Sequence, residues 1–209
     1  MKSLQSISID KQEYIYLSPE KSHQLAFELV SFINQKISQG EIKKPEIIIG
    51  IARGALAWLK ILADWLNIDQ VNSFRIVHYS GVSKTLKKPK ILESNLPRID
   101  KKRVLIFDNI VETGKTMKLA VNYLSMCGAE DITTAVLFYR KCSILVPDFY
   151  SRTTNAWIVF HHEIVESIKY LGTRWLDKGI HLKEIKQRFL TIGLPQKEVK
   201  KAMKIIFNL

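Results

Sequence analysis

The chain has 209 residues, 46% of them hydrophobic, which suits one well-filled core with a small appendage. Its 32 basic and 20 acidic residues give a net charge of +12, so anionic partners are expected, with nucleic acid, acidic lipid and polyphosphate metabolites all open. Two cysteines without metal-ligand spacing exclude a disulfide framework, and no apolar run approaches membrane-spanning length, so we expect a protein of the reducing cytoplasm with no membrane partner.

The first 160 residues alternate between predicted strands and predicted helices. Ser18 as cap and Pro19 in the first turn mark a helix that should end near Gly40. Short apolar runs predict strands at residues 47–50, 74–79, 104–107, 132–139 and 157–160, with helices at 54–66 and 114–127. This alternation predicts an α/β fold with a mainly parallel sheet flanked by helices.

A polar, basic stretch interrupts this pattern between Ser80 and Leu96. A long insertion without an apolar face is often a lid or binding loop, and a solvated hairpin is the alternative. We predict a lid over residues 79–97.

From Glu163 onward the pattern is helical only, at residues 164–176, 182–190 and 195–207. We therefore predict a core domain, 1–163, followed by a C-terminal three-helix segment, 164–209. The last two helices are basic and amphipathic, so they could form a DNA-binding helix-turn-helix. A helical cover over the active site is favoured, because their apolar faces must be buried: Leu182, Ile185, Phe189, Val199, Met203 and Ile206.

The stretch VLIFDNIVETGKT, residues 104–116, joins a buried strand to the start of a helix. Thr113, Gly114, Lys115 and Thr116 would present backbone N–H groups, two hydroxyls and a helix dipole to one anion. An ordinary helix start capped by Thr113 is the alternative. A nucleotide-binding P-loop would require glycine where the chain has Asn109.

These residues resemble the signature of the type I phosphoribosyltransferase family: a hydrophobic strand, an acidic pair, two variable residues, an acidic residue and Thr-Gly-x-Thr. The resemblance implies that Glu112 and residues 113–116 hold the 5′-phosphate of phosphoribosyl pyrophosphate. It also implies that Asp108 and Asn109 bind the ribose hydroxyls. Asn109 stands where the family usually has a second carboxylate, so charge stabilisation of a cationic ribose should be reduced.

Two further segments agree with this resemblance. Ala52, Arg53 and Gly54 resemble the pyrophosphate loop, where members often hold a non-proline cis peptide; a plain turn is the alternative. His78 and Tyr79, at the start of the lid, are also assigned to pyrophosphate.

The segment from Trp157 to Glu163 is similar to the nucleobase loop of 6-oxopurine and archaeal purine members. The resemblance implies that Trp157 stacks on the base, that the backbone at Ile158 reads its edge, and that Glu163 with Asp108 places Mg²⁺. His161 and His162 replace the family's Pro-Trp. Core packing for Trp157 and a surface position for the histidines are the alternatives.

The resemblance implies a purine salvage enzyme that joins a purine base to phosphoribosyl pyrophosphate with Mg²⁺ and releases pyrophosphate. Asp108 and Glu112 would be catalytic, with Glu112 as general acid or base; a first-turn acid that favours the helix dipole is the alternative. Arg140 would donate to a 6-oxo group, which favours hypoxanthine or guanine.

The whole chain, however, resembles the crenarchaeal adenine phosphoribosyltransferases. We therefore place adenine first and hypoxanthine or guanine second. A purine-responsive regulator without catalysis is a third possibility, although nucleic acid is not the expected partner. The family is commonly dimeric, which predicts a homodimer.

Overall fold

The computed structural model describes residues 4–79 and 88–208, which contain nine strands and six α-helices. In chain order the elements are β1 (Ile7–Ile9), β2 (Gln12–Leu17), α1 (Pro19–Ser38), β3 (Ile47–Ala52), α2 (Leu59–Leu66), β4 (Gln70–Tyr79), β5 (Lys88–Ser94), β6 (Arg103–Val111), α3 (Lys115–Met126), β7 (Asp131–Tyr139), β8 (Phe149–Thr153), β9 (Trp157–Phe160), α4 (Ile164–Leu176), α5 (Leu182–Ile192) and α6 (Gln196–Phe207). No helix of this described part is long and apolar enough to cross a membrane.

The chain forms two compact units, one of Gln24–Thr154 and one that combines Met1–His23 with Asn155–Leu209. These limits differ from the predicted domains 1–163 and 164–209. The difference arises because β2 pairs with β9, and both strands pack with the C-terminal helices. The N-terminal residues therefore group with the C-terminal helices.

The larger unit is built on a six-stranded sheet in the order β5-β4-β3-β6-β7-β8. All pairs are parallel except β4 with β5, which confirms the predicted mainly parallel sheet. The central strands β3, β6 and β7 read as continuous apolar runs because helices cover both faces of such a sheet. Ile47, Ile49 and Ile106 are accordingly fully buried.

The predicted insertion contains a strand. Residues of β5 pair antiparallel with β4, with Val77 opposite Lys90, as in the hairpin alternative. The predicted lid, 79–97, falls partly on residues 80–87, which lie outside the described residues.

The smaller unit contains a second sheet in the order β1-β2-β9. Strand β9 pairs parallel with β2, with Tyr14 opposite Trp157, and it does not join the larger sheet as the alternation of elements suggested. The strands β1, β2 and β8 were not predicted.

The three C-terminal helices lie close to their predicted positions and pack into this smaller unit. Their apolar residues share one core with β2 and β9, and Ile185, Phe189 and Val199 are fully buried there. Leu182 and Ile206 are partly buried against the same core. The prediction that these apolar faces must be buried is confirmed.

Candidate active site

The loop after β3 approaches β6 closely in the larger unit. A methyl group at Gly54 would lie 2.9 Å from Asn109 Nδ2 and 3.7 Å from Asp108 Oδ1. Only glycine allows the loop this approach. The structure therefore brings together Gly54 and the acidic pair, which the sequence placed in two separate motifs.

Asp108 and Asn109 lie inside β6, which continues four residues past the predicted strand end at residue 107. Asp108 is half-buried and Asn109 is only 3% exposed. The Asn109 backbone N–H donates to Asp108 Oδ1 at 2.8 Å, so the carboxylate orientation is tied to the position of Asn109.

The helix α3 begins directly after the predicted phosphate loop. Its N-cap is Gly114, with φ of +78°, and the alternative in which Thr113 is the cap is wrong. The first-turn N–H groups of a helix have no partners within the helix, and they face the end where Lys115 is exposed and Thr116 is half-buried. This helix start has the donors and the dipole direction to bind an anion.

The loop after β7, residues 140–145, contacts the predicted phosphate loop, and the sequence did not predict this contact. The backbone N–H of Arg140 donates to the Val111 carbonyl at 2.9 Å, and that of Ile144 donates to the Thr113 carbonyl at 3.1 Å. A methyl group at Gly114 would lie 2.8 Å from the Leu145 backbone nitrogen. Residues 140–145 and the phosphate loop therefore form one packed layer at this end of the sheet.

Two predicted base-site residues contact each other in this layer. Arg140 forms an ion pair with Glu112, with 2.8 Å between guanidinium and carboxylate. The Glu112 side chain is 48% exposed, and partly exposed pairs are worth at most about 1 kcal/mol. A ligand could therefore replace either partner at little cost.

The predicted pyrophosphate loop contains the non-proline cis peptide bond that the resemblance implied. The peptide bond between Ala52 and Arg53 is cis, and the Arg53 side chain is exposed. His78 and Tyr79 lie at the end of β4, but their side chains are outside the described residues.

The predicted nucleobase loop belongs to the smaller unit. The Trp157 indole stacks on Tyr170 of α4, with ring centroids 5.2 Å apart and planes inclined by 10°. Ile158 is 8% exposed, and Glu163 directly precedes α4 and is half-buried. One face of the Trp157 ring is thus covered by Tyr170.

The two histidines of this loop are neutral at neutral pH. Burial and the neighbouring His161 lower the pKa of His162 to about 4. Burial is also the main cause that lowers the pKa of His161, whose Nδ1 lies 3.2 Å from the hydroxyl of the fully buried Ser22. The contact of His162 with Glu163 at 3.8 Å is therefore not an ion pair at pH 7.

Metal binding by protein groups alone is not indicated in the described part, where no group of three or more His, Cys, Asp or Glu residues could hold an ion. Mg²⁺ usually binds one or two carboxylates together with phosphate oxygens of a substrate. The half-buried Asp108, in the strand that precedes the start of α3, is a carboxylate that could serve in that second mode.

Residues 20–166 match the family model described as phosphoribosyl transferase domain. Among solved structures, a purine phosphoribosyltransferase from Pyrococcus horikoshii is 30% identical, with a TM-score of 0.62 over 70% of this chain and 92% of that one. The chain belongs to the phosphoribosyltransferase family, as an enzyme with the type I fold.

Two further solved structures share the fold at lower identity. The xanthine-guanine-hypoxanthine phosphoribosyltransferase of Helicobacter pylori is 21% identical, with a TM-score of 0.63 over 77% of this chain and 99% of that one. A hypothetical protein from Neisseria gonorrhoeae with bound ppGpp is 18% identical, with a TM-score of 0.65 over 83% of this chain and all of the other. No curated protein sequence matches the chain significantly.

Proposed function

We propose that the protein is a purine salvage enzyme that converts adenine and phosphoribosyl pyrophosphate into AMP and pyrophosphate. The observation that carries the proposal is the meeting, in the larger unit, of Gly54 with Asp108 and Asn109, next to the anion-binding start of α3. The similarity to the purine phosphoribosyltransferase of Pyrococcus horikoshii supports a purine as the acceptor. The resemblance to crenarchaeal adenine enzymes places adenine first.

The roles follow from the chemistry of each group. The helix start at residues 113–116 holds the 5′-phosphate through backbone N–H groups and hydroxyls. Asp108 and Asn109 bind the ribose hydroxyls, and the backbone at Ala52 and Arg53 faces pyrophosphate.

The reaction forms a bond from a ring nitrogen of the base to the anomeric carbon and breaks the bond from that carbon to pyrophosphate. Positive charge develops on the ribose, so the main tasks of the protein are orientation and electrostatic stabilisation. Glu112 is the candidate to accept the proton that the ring nitrogen loses.

Mg²⁺ is the implied metal, and Asp108 would hold it together with substrate oxygens. When bound, Mg²⁺ neutralises charge on the departing pyrophosphate. Asn109 adds no negative charge at this place, so the protein's own contribution to charge stabilisation comes chiefly from Asp108.

The second candidate function is transfer to hypoxanthine or guanine. Arg140 favours it, because a guanidinium can donate to a 6-oxo group and cannot accept from a 6-amino group. The ion pair with Glu112 already takes part of that donor capacity, and the Glu112 carboxylate can accept from an amino group. This pair makes adenine chemically possible beside Arg140.

A turnover assay with phosphoribosyl pyrophosphate, Mg²⁺ and each of adenine, hypoxanthine and guanine tests the proposal. We expect release of pyrophosphate with adenine at the highest kcat/KM. Preference for hypoxanthine or guanine would select the second candidate, and turnover with none of the bases would refute both.

A DNA-binding regulator is a third hypothesis, because the apolar faces of α5 and α6 are buried as both a helical cover and a helix-turn-helix require. Salt-sensitive binding of duplex DNA without turnover of any base would support the regulator instead.

A further inference from the structure

The smaller unit contains a cleft of its own, with a volume of about 260 Å³. It lies between the β1–β2 hairpin and the C-terminal end of α4. The lining is basic and aromatic: Lys11, Tyr14, Trp157, Arg174, Trp175 and Lys178 are among its residues. All of these belong to the smaller unit, whereas the phosphate loop and Asp108 belong to the larger one.

The positive charges of the cleft are not neutralised by the carboxylates of the described residues. Lys11, Arg174 and Lys178 form no ion pair there. The one acid of the lining, Asp10, pairs with Arg188 at 2.5 Å, and Arg188 also pairs with Glu184 at 2.9 Å, so these three residues together keep about one negative charge. Cations are favoured at the C-terminal end of a helix, but that end carries only about half a negative charge. Three cations exceed the half charge of that helix end and the one net negative charge of Asp10, Arg188 and Glu184 taken together, so positive charge is left for an anion.

The backbone of the hairpin supports the same conclusion. Asp10 and Lys11 are the two turn residues and have φ of +49° and +64°, the left-handed region that favours glycine. Turns of this kind prefer Asp-Gly or Asn-Gly. Here Lys11 occupies the second turn position, and it lines the cleft. Strained residues cluster at functional sites, but Lys101 also has a positive φ, so the conformation of Lys11 supports a use of its side chain only together with its place in the cleft.

The aromatic residues add donors and planar surface. Arg174 lies over the Tyr170 ring at 5.5 Å, and Tyr170 stacks on Trp157, so the guanidinium is held in place beside the cleft. Tyr14 is 5% exposed, and burial raises the pKa of its hydroxyl despite the nearby Arg174 and Arg188. The hydroxyl therefore stays protonated and can donate to an anion.

We propose that this cleft is a binding site for a small phosphate-bearing metabolite, formed by other residues than those of the phosphate loop, 113–116. Its volume lies just below the range of about 300–1,000 Å³ for sites of drug-sized ligands, which suits a pyrophosphate or the phosphate end of a nucleotide. Phosphate oxygens would accept from Lys11, Arg174 and Lys178, and charge-assisted bonds of this kind are the strong ones.

Calorimetric titration of the full chain tests the proposal, with pyrophosphate, inorganic phosphate and AMP as separate probes. We expect two classes of site in the natural chain, one at the phosphate loop and one at the cleft. The double variant Arg174→Gln/Lys178→Gln should lose one class, or bind there at least about tenfold more weakly. The matched control Lys200→Gln/Lys201→Gln removes two exposed charges from α6 and should retain both classes.

A second pair of variants separates binding from folding. Lys11→Gly should raise the melting temperature, because glycine favours this positive φ, and it should weaken anion binding at the cleft. Lys101→Gly, at another lysine of positive φ in the larger unit, should raise the melting temperature and leave binding unchanged. Tighter cleft binding of AMP than of pyrophosphate would identify a nucleotide as the ligand, and the reverse order would identify free pyrophosphate.

If Arg174→Gln/Lys178→Gln and the control Lys200→Gln/Lys201→Gln lose the same affinity for the probes, binding depends only on the general surface charge, and the proposal is overturned. Two unchanged classes in Arg174→Gln/Lys178→Gln, or an unchanged cleft affinity in Lys11→Gly, would also overturn it. A chain that binds at the cleft but turns over no base would contradict the proposed function and leave this inference standing.

Discussion

Replacing Gly54 with alanine tests the geometry on which the proposed active site depends. The new methyl carbon would lie 2.9 Å from Asn109 Nδ2 and 3.3 Å from its Cγ. Carbon contacts are most favourable at about 3.5–4.0 Å, so either the loop or Asn109 must shift by roughly 0.6–1 Å. Asn109 is 3% exposed and has little room, and overpacking of this kind costs about 1–3 kcal/mol.

The same shift should reach the reaction, because the Asn109 backbone holds the Asp108 carboxylate through its N–H. Misplacement of a reacting group by about 1 Å can lower the rate about 100-fold. We expect kcat/KM for phosphoribosyl pyrophosphate to fall by about that factor, with a lower urea midpoint.

Gly54→Ala in an Asn109→Ala background is the control for this contact. Removal of the Asn109 amide makes space, so the stability loss caused by Gly54→Ala should largely disappear, giving a coupling energy of about 1–3 kcal/mol. A Gly54→Ala enzyme with natural kcat/KM and an unchanged urea midpoint would show that the loop does not press on β6 as described.

Three further predictions concern single residues. Glu112→Gln should lower kcat by about 100-fold or more if the carboxylate transfers a proton, and near-normal turnover would remove it from that role. Gly114→Ala should lower the free energy of unfolding by about 2–5 kcal/mol and raise KM for phosphoribosyl pyrophosphate, because the cost of a positive φ and the cost of the contact with Leu145 add up. The control Gly40→Ala has a φ of +71° and open space around it, so it should lose only about 1–2 kcal/mol in urea unfolding. The pKa of His162 is about 4 in the folded chain against an ordinary 6.5, so the free energy of unfolding should fall as the pH drops from 6.5 toward 4. In His162→Asn, melting temperatures measured over the same pH range should fall less steeply.

Elements with a long apolar pattern were predictable from the sequence, and β9 and α4 have the predicted limits. Strands β1 and β2 were missed because their turn, Asp10-Lys11, lacks the glycine that usually marks such a hairpin. Strand β8 is short, contains polar residues and lies at a sheet edge, so its sequence carries no clear alternation.

The sequence suggested the residue types of the candidate site and gave no information on their contacts. Asp108 and the Thr-Gly-Lys-Thr loop are local in sequence, so their chemistry could be read directly. The approach of Gly54 to Asn109 and the pairing of Glu112 with Arg140 depend on which strands are neighbours in the sheet. That order follows from the packing of the whole unit and is not written in any single segment.

The pairing of β2 with β9 has a consequence for how the protein is made. Tyr14 leaves the ribosome roughly 140 residues before its partner Trp157. At synthesis rates of about 5–20 residues per second, β9 is made roughly 7 s or longer after the β1–β2 hairpin with which it forms a sheet. During translation the larger unit can complete its sheet first, so the smaller unit, with the cleft it carries, is expected to be the last part of the nascent chain to mature.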